Sequence, residues 1–164
     1  FTAMDKNSTH VEFVKQLGNR IFFGNMTRLD LMRSAGVKHA KIVVVAVDEI
    51  EESLEIVALV KEQNPRIRII ARAIDRTHAR RLLASGVEHV IRDTFASSLE
   101  AATRTLEQLG YPEGRALEVT EMFRNHDETM LQNSVKHVDD IDKLHKLARE
   151  GRQELQELFE KDSR

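Results

Sequence analysis

Cysteine is absent from the 164 residues, which excludes disulfides, thiol catalysis and any cysteine-ligated metal site. Proline is nearly absent, at 2 residues, so little interrupts helices. The 7 glycines, at 18, 24, 36, 86, 110, 114 and 151, never fall in a G-x-G spacing. The phosphate-cradling turn of dinucleotide folds is therefore missing. Long apolar runs are missing too. The longest, Ile42 to Val47, falls far short of a bilayer span. No secretory leader opens the chain, which predicts a cytoplasmic or cytoplasm-facing domain. The formal net charge of −2 gives no footprint for general nucleic-acid binding.

What is present suits a soluble, helix-rich domain. Hydrophobic residues make up 41% and charged residues 32%, enough for one core and too apolar for wholesale disorder. Charge is uneven: residues 113–164 carry −4 and residues 1–112 carry +2. The shift falls at Gly110-Tyr111-Pro112, a turn signal. It predicts a body over 1–110 and a helical C-terminal extension over 111–164.

The body alternates strand and helix signals. Phe1 to Asp5 reads as the end of a strand. Asn7 or Ser8 caps a helix that Gly18 stops. Ile21-Phe22-Phe23 is a short strand, and Thr27 caps a helix from Leu29 to Ala35. Ile42 to Val47 reads as a strand buried on both faces. Glu49 to Gln63 is helical, with Leu54, Val57, Ala58 and Lys61 on one stripe, and Pro65 ends it. Arg68 to Ala73 is the next strand. Asp75 caps a helix through Ser85, His89-Val90-Ile91 is a brief strand, and Thr94 to Leu109 is a long helix carrying Leu99, Ala102, Leu106 and Leu109 on one stripe. In the extension, Val138-Asp139-Asp140 marks a bend between two helices. Short strands alternating with helices predict a Rossmann-like, doubly wound parallel α/β sheet.

The strand ending in Asp5 occupies an odd place. In a dinucleotide fold an acidic residue ends the second strand, and the first strand with its glycine turn precedes it by about twenty residues. The first strand is central to such a sheet. Its absence here implies that the chain is a piece of a longer polypeptide, or that the strand is supplied from elsewhere.

Five segments in order carry a resemblance: Phe23-Gly24-Asn25-Met26-Thr27-Arg28 leading into Leu29 to Gly36, Ile69-Ile70-Ala71-Arg72-Ala73, Gly86-Val87, Arg92-Asp93-Thr94-Phe95, and Phe123-Arg124 with His126-Asp127. Together they resemble RCK domains, also called KTN or TrkA-N, in the Kef-type branch of bacterial potassium-efflux systems. The likeness covers roughly residues 1–135. It implies a regulatory domain on the cytoplasmic face of the inner membrane, attached to a potassium/proton antiporter and homodimeric through the long helix; the sparse apolar surface of the C-terminal helices needs a partner as well, the body, a second copy or an ancillary regulatory subunit. It implies a bound adenine nucleotide, AMP or NAD(H). The residues matching the family's nucleotide site are Asp5 with the following Lys6, Asn25, Met26, Ala46 and Val47.

Three departures stand out. The family usually has Asp where Asn25 stands. Leu17 stands where glutathione-sensing members carry Phe, and Asp127 where they carry Asn. Glutathione is therefore expected to bind weakly or not at all.

Each residue has a plainer role as well. Asp5 suits a turn at a strand end. Arg72, on an otherwise apolar strand, needs a partner. A carboxylate such as Asp48 or Asp75, a ligand and an interface all serve. Arg92 and Asp127 are candidates for the same ligand or interface role. Arg76, Arg80 and Arg81 read as one solvated helix face. The seven histidines include no metal-binding helical pair, and no nucleophile sits in a recognisable elbow, so no metal and no catalysis are expected. The alternative functions on this fold are an NAD(P)-dependent oxidoreductase fragment and a non-enzymatic dimerisation or adaptor module with a vestigial site.

Overall fold

The computed structural model describes residues 1–162. In chain order the elements are β1 (Met4–Asp5), α1 (Ser8–Gln16), β2 (Phe22–Phe23), α2 (Leu29–Ser34), a 3-10 turn (Val37–His39), β3 (Ile42–Val45), α3 (Ile50–Gln63), β4 (Arg68–Ala73), α4 (Arg76–Ala84), β5 (His89–Arg92), α5 (Phe95–Gln108), α6 (Glu113–Ser134), a second 3-10 turn (Val135–His137) and α7 (Ile141–Asp162). The strands fall into a two-stranded sheet, β1-β2, and a three-stranded sheet in the order β3-β4-β5. β1 pairs with β2 in parallel, and so does β3 with β4, in the register Ile42–Arg68 to Val45–Ala71. The architecture is the Rossmann-like parallel α/β fold that the alternation predicts.

Two compact units make up the chain. One comprises residues 1–72 and 87–89, the other 73–86 and 90 onward. The first has an aliphatic core, with Met32, Val57, Val60 and Ala71 fully buried. The second buries Ala79, Leu82, Leu99, Ala116 and Leu131, together with the polar His78, Thr120 and Ser134.

Local sequence sets most boundaries. The Asn7 side chain accepts from Thr9 N–H and His10 N–H and caps α1, while Asp75 accepts from His78 N–H at 2.7 Å and caps α4. Gly18, Gly36 and Gly86 close their helices with φ between 80 and 87°, a conformation that glycine adopts without strain.

The structure departs from sequence expectation in four places. Arg28, not Thr27, stands at the N-cap of α2 without a side-chain cap bond, because the Thr27 hydroxyl donates to Asn25 instead. The buried face of α3 is Ser53, Ile56, Val57 and Val60, one position away from the expected stripe. A serine in the core hides that face from a hydrophobic count. β3 is not buried on both faces: Ile42 is 47% and Val44 66% exposed, because β3 ends its sheet. The three arginines of α4 are half-buried rather than solvated, since Arg76 and Arg80 are engaged from α6.

Candidate functional site

Parallel α/β sheets bind ligands beyond the carboxyl ends of their strands. In the first unit those ends carry the residues expected for nucleotide binding. Asp5 ends β1. Its Oδ1 accepts Asn7 N–H at 2.7 Å, and its Oδ2 lies 3.7 Å from His10 Nδ1. A carboxylate has about four acceptor positions, so this turn leaves capacity for a second partner. Lys6 pairs instead with Glu52 on α3, and that hydrogen bond raises the Lys6 pKa above its ordinary value.

The loop after β2 is a tight turn. Asn25 C=O accepts from Arg28 N–H at 3.1 Å, and Asn25 Oδ1 accepts both the N–H and the hydroxyl of Thr27. The Asn25 amide NH2 has no protein partner among the described residues. Asn, unlike the expected family Asp, brings that donor. Gly24 sits in close quarters: a Cβ there would meet the Met4 methyl at 2.7 Å and Leu31 Cδ1 at 3.0 Å, so these side chains would have to move.

Met26, Ala46 and Val47 line one cavity of about 720 Å³, walled also by Phe1–Met4 and β3. Asp5, Lys6 and Asn25 stand outside its lining. An adenosine fits the chemistry of these strand ends: a carboxylate for ribose hydroxyls, an amide donor and an apolar wall for the base. No glycine turn is present to cradle phosphates.

Arg72 projects from β4 and pairs with Asp48, one of the carboxylates that the sequence nominates. The Asp48 side chain is 86% exposed.

In the second unit Asp127 of α6 gathers charge. Its two carboxylate oxygens accept from Arg76 of α4 and Arg92 of β5, and its carbonyl accepts a further Arg76 bond at 3.3 Å. The Arg92 and Asp127 side chains are only 11% and 14% exposed. The Arg92 guanidinium also lies 3.6 Å over the Phe95 ring, a favourable cation–π contact. Between them Thr94 has φ 59°, a costly conformation for a β-branched residue. One carboxylate thus neutralises one of two guanidinium charges.

Beside this cluster, α4, α6 and α7 line a cavity of about 730 Å³, with Arg76, Arg80 and Arg152 among apolar residues such as Phe123 and Leu144. Arg80 donates to Ser134 Oγ at 3.1 Å. Burial, then the neighbouring Arg76 charge, push the Arg80 pKa below its ordinary value, offset in part by Asp75. α7 packs tightly on α6 at Gly151: a Cβ there would meet the Met130 methyl at 2.5 Å. His126 Nε2 and the Gly151 carbonyl oxygen are 2.8 Å apart.

The family model for the TrkA-N domain matches residues 1–93. The chain belongs to the TrkA-N domain family. Residues 97–164 match the model described as the potassium efflux system KefB C-terminal domain. Among curated relatives, the glutathione-regulated potassium-efflux system protein KefC of Salmonella arizonae is 35% identical over 138 residues, which is 84% of this chain and 22% of that protein. The KefC of Klebsiella pneumoniae is 37% identical over 132 residues, 80% of this chain and 21% of that protein. The chain thus spans about a fifth of the length of these relatives. Among solved structures, the Shewanella denitrificans Kef CTD in AMP-bound form is similar with a TM-score of 0.70 and 28% identity, covering 82% of this chain and 97% of that one. The TrkA-N domain of the Escherichia coli inner membrane protein ybaL has a TM-score of 0.54 and 25% identity, covering 67% of this chain and 78% of that one.

Within this TrkA-N chain, the sequence reading missed the contribution of Arg76 to the Asp127 cluster and that of Gly151 to the crossing of α6 and α7. A lone glycine inside an otherwise strongly helical run is the signal for the second. Among the described residues, no group of three or more His, Asp or Glu side chains is placed to hold a metal. None of the described helices is long and apolar enough to cross a membrane.

Proposed function

We propose that this chain is a regulatory domain that binds an adenine nucleotide, AMP or NAD(H), and gates an attached membrane potassium/proton antiporter. The observation that carries the reading is the likeness, over 82% of the chain, to a Kef C-terminal domain solved with AMP. The strand ends support it. Asp5 accepts from the ribose hydroxyls, the Asn25 amide donates to the nucleoside, and Met26, Ala46 and Val47 give the base an apolar wall. Lys6, held by Glu52, sits beside this site and stays cationic near the phosphates.

Gating requires that the nucleotide bind two arrangements of the domain with different affinities, so that the attached membrane portion reads the population shift. A homodimer supplies those arrangements. Leu109, Tyr111 and Leu117, at the junction of α5 and α6, are 72%, 47% and 53% exposed and offer the apolar surface for a second copy. The role is regulatory rather than enzymatic.

Glutathione finds little here. Both Asp127 oxygens are already bound to arginines, and a carboxylate brings no donor where the glutathione-sensing relatives carry an amide. Tight glutathione binding by the unaltered chain would contradict this point.

The test is calorimetry of AMP and NADH with the full-length protein and its Asp5→Ala variant. Charge-assisted bonds to the ribose are worth roughly 1.5–3 kcal/mol each, so affinity falls by about tenfold or more. Equal affinity for both proteins would move the nucleotide elsewhere.

A further inference from the structure

We infer that the cavity bounded by α4, α6 and α7 binds a small anionic amphiphile, a single-chain carboxylate whose headgroup pairs with Arg80 and Arg152 and whose chain lies against the apolar wall. The cavity lies within the second unit, and the inference does not depend on nucleotide binding. Four observations carry it.

The first is an excess of positive charge. Arg76, Arg80 and Arg152 line the cavity, and among the described residues Asp127 is the one carboxylate in the lining. Asp127 is already shared between Arg76 and Arg92. Arg80 donates through Nε to a neutral partner, the Ser134 hydroxyl, which leaves its two terminal nitrogens for a ligand. Arg152 enters no ion pair among the described residues.

The second is burial. Arg80 is half-buried, and burial together with the Arg76 charge lowers its pKa, with partial relief from Asp75. The guanidinium is thus held charged at a cost, and an anion in the cavity would offset that cost.

The third is pattern. Leu144, Leu147, Ala148, Gly151 and Leu155 of α7 line the cavity at helical spacing. Arg152 interrupts that stripe and lines the cavity with it, while standing exposed. A cation of an amphipathic helix ordinarily keeps to the polar face. Here it stands where a headgroup and an apolar chain would meet.

The fourth is size and wall chemistry. The volume of about 730 Å³ falls within the range of about 300–1,000 Å³ usual for small-molecule sites. Phe123 and Met130 of α6 add to the apolar wall. A bare inorganic anion would leave that wall uncovered, and a neutral chain would leave the arginines without a counter-ion. An anion carrying one apolar chain satisfies both. A planar carboxylate also matches the edge of a guanidinium.

The test is amide hydrogen exchange of the full-length protein in phosphatidylcholine nanodiscs, titrated with octanoate, decanoate and dodecanoate. Exchange is expected to slow around Arg76 to Arg80, Phe123 to Met130 and Leu144 to Leu155. Affinity should rise by about threefold to fourfold for each added methylene until the cavity is full. Arg80→Leu should weaken dodecanoate binding by about tenfold or more. Arg152→Leu, at an exposed position that leaves folding intact, should weaken it by about threefold to tenfold. Equal slowing by dodecanol would deny the headgroup its role and overturn the inference. Equal slowing by inorganic phosphate would make this a plain anion site and overturn it as well. So would dodecanoate binding that both variants leave unchanged, or slowing of the same amides by protein concentration alone, which would assign the cavity to a second copy.

Discussion

The two compact units hold themselves together by different means. The unit of residues 1–72 and 87–89 buries aliphatic side chains on short parallel strands, and the Lys6–Glu52 and Arg72–Asp48 pairs each keep one partner well exposed: Lys6 is 52% and Asp48 86% exposed. The unit of 73–86 and 90 onward buries fewer large side chains and relies on polar contacts between helices. Asp127 bridges two arginines, the Thr103 and Thr120 hydroxyls meet at 2.8 Å, and His126 reaches Gly151. A lost surface pair returns to water at little cost, whereas a lost partner in a half-buried cluster strands a charge. The same class of substitution should therefore act unequally in the two units.

The largest effect is expected at Asp127. Asp127→Ala leaves Arg92 and Arg76 facing each other without a counter-ion, and should destabilise the protein by about 2–4 kcal/mol. The midpoint of urea denaturation reads this directly. A shift below the error of the measurement would mean that the cluster is solvated. Next comes Gly151→Val, which forces a branched side chain into the Met130 contact and should cost about 1–3 kcal/mol. The same change at a glycine with open space, such as Gly114, is the control. A smaller effect of opposite sign is expected at Ser53, whose buried hydroxyl finds no partner. Ser53→Ala removes that unsatisfied group and favours the helix, and should stabilise by about 1 kcal/mol. Finally, Lys6→Ala should lower the denaturation midpoint only slightly, because Lys6 itself is half exposed and Glu52 loses a single partner. A clear loss there would erase the contrast between the units.

Much of the fold was legible because strong local signals coincide with tertiary need. β4 matches its predicted span, Arg68 to Ala73. Asn7 and Asp75 cap as expected, and the bend after Ser134 falls beside Val138-Asp139-Asp140. What was not legible depends on neighbours. The face of α3 turns by one position because Ser53, not Leu54, points inward. β3 reads as doubly buried because a continuous apolar run does not report which face the neighbours cover, and Ile42 and Val44 share the uncovered face. The candidate site was legible through resemblance rather than through pattern. The family resemblance, not spacing, names Asp5, Asn25, Met26, Ala46 and Val47, and each lies at or just beyond the end of β1, β2 or β3. The pairing of Asp127 with Arg76 joins residues 51 apart in sequence, and no local pattern reports such a contact.

The comparison of the two units also frames where a ligand acts. Each has a cavity of over 700 Å³, one beside strand ends and one among helices with arginines in its wall. Hydrogen exchange of the full-length protein with and without saturating AMP decides between them. The account predicts slowed exchange at Asp5 to Asn7, Asn25 to Thr27 and Ala46 to Val47, with the α6 and α7 amides unchanged. Protection confined to α6 and α7 around His126 and Gly151, with the strand ends unchanged, would contradict it.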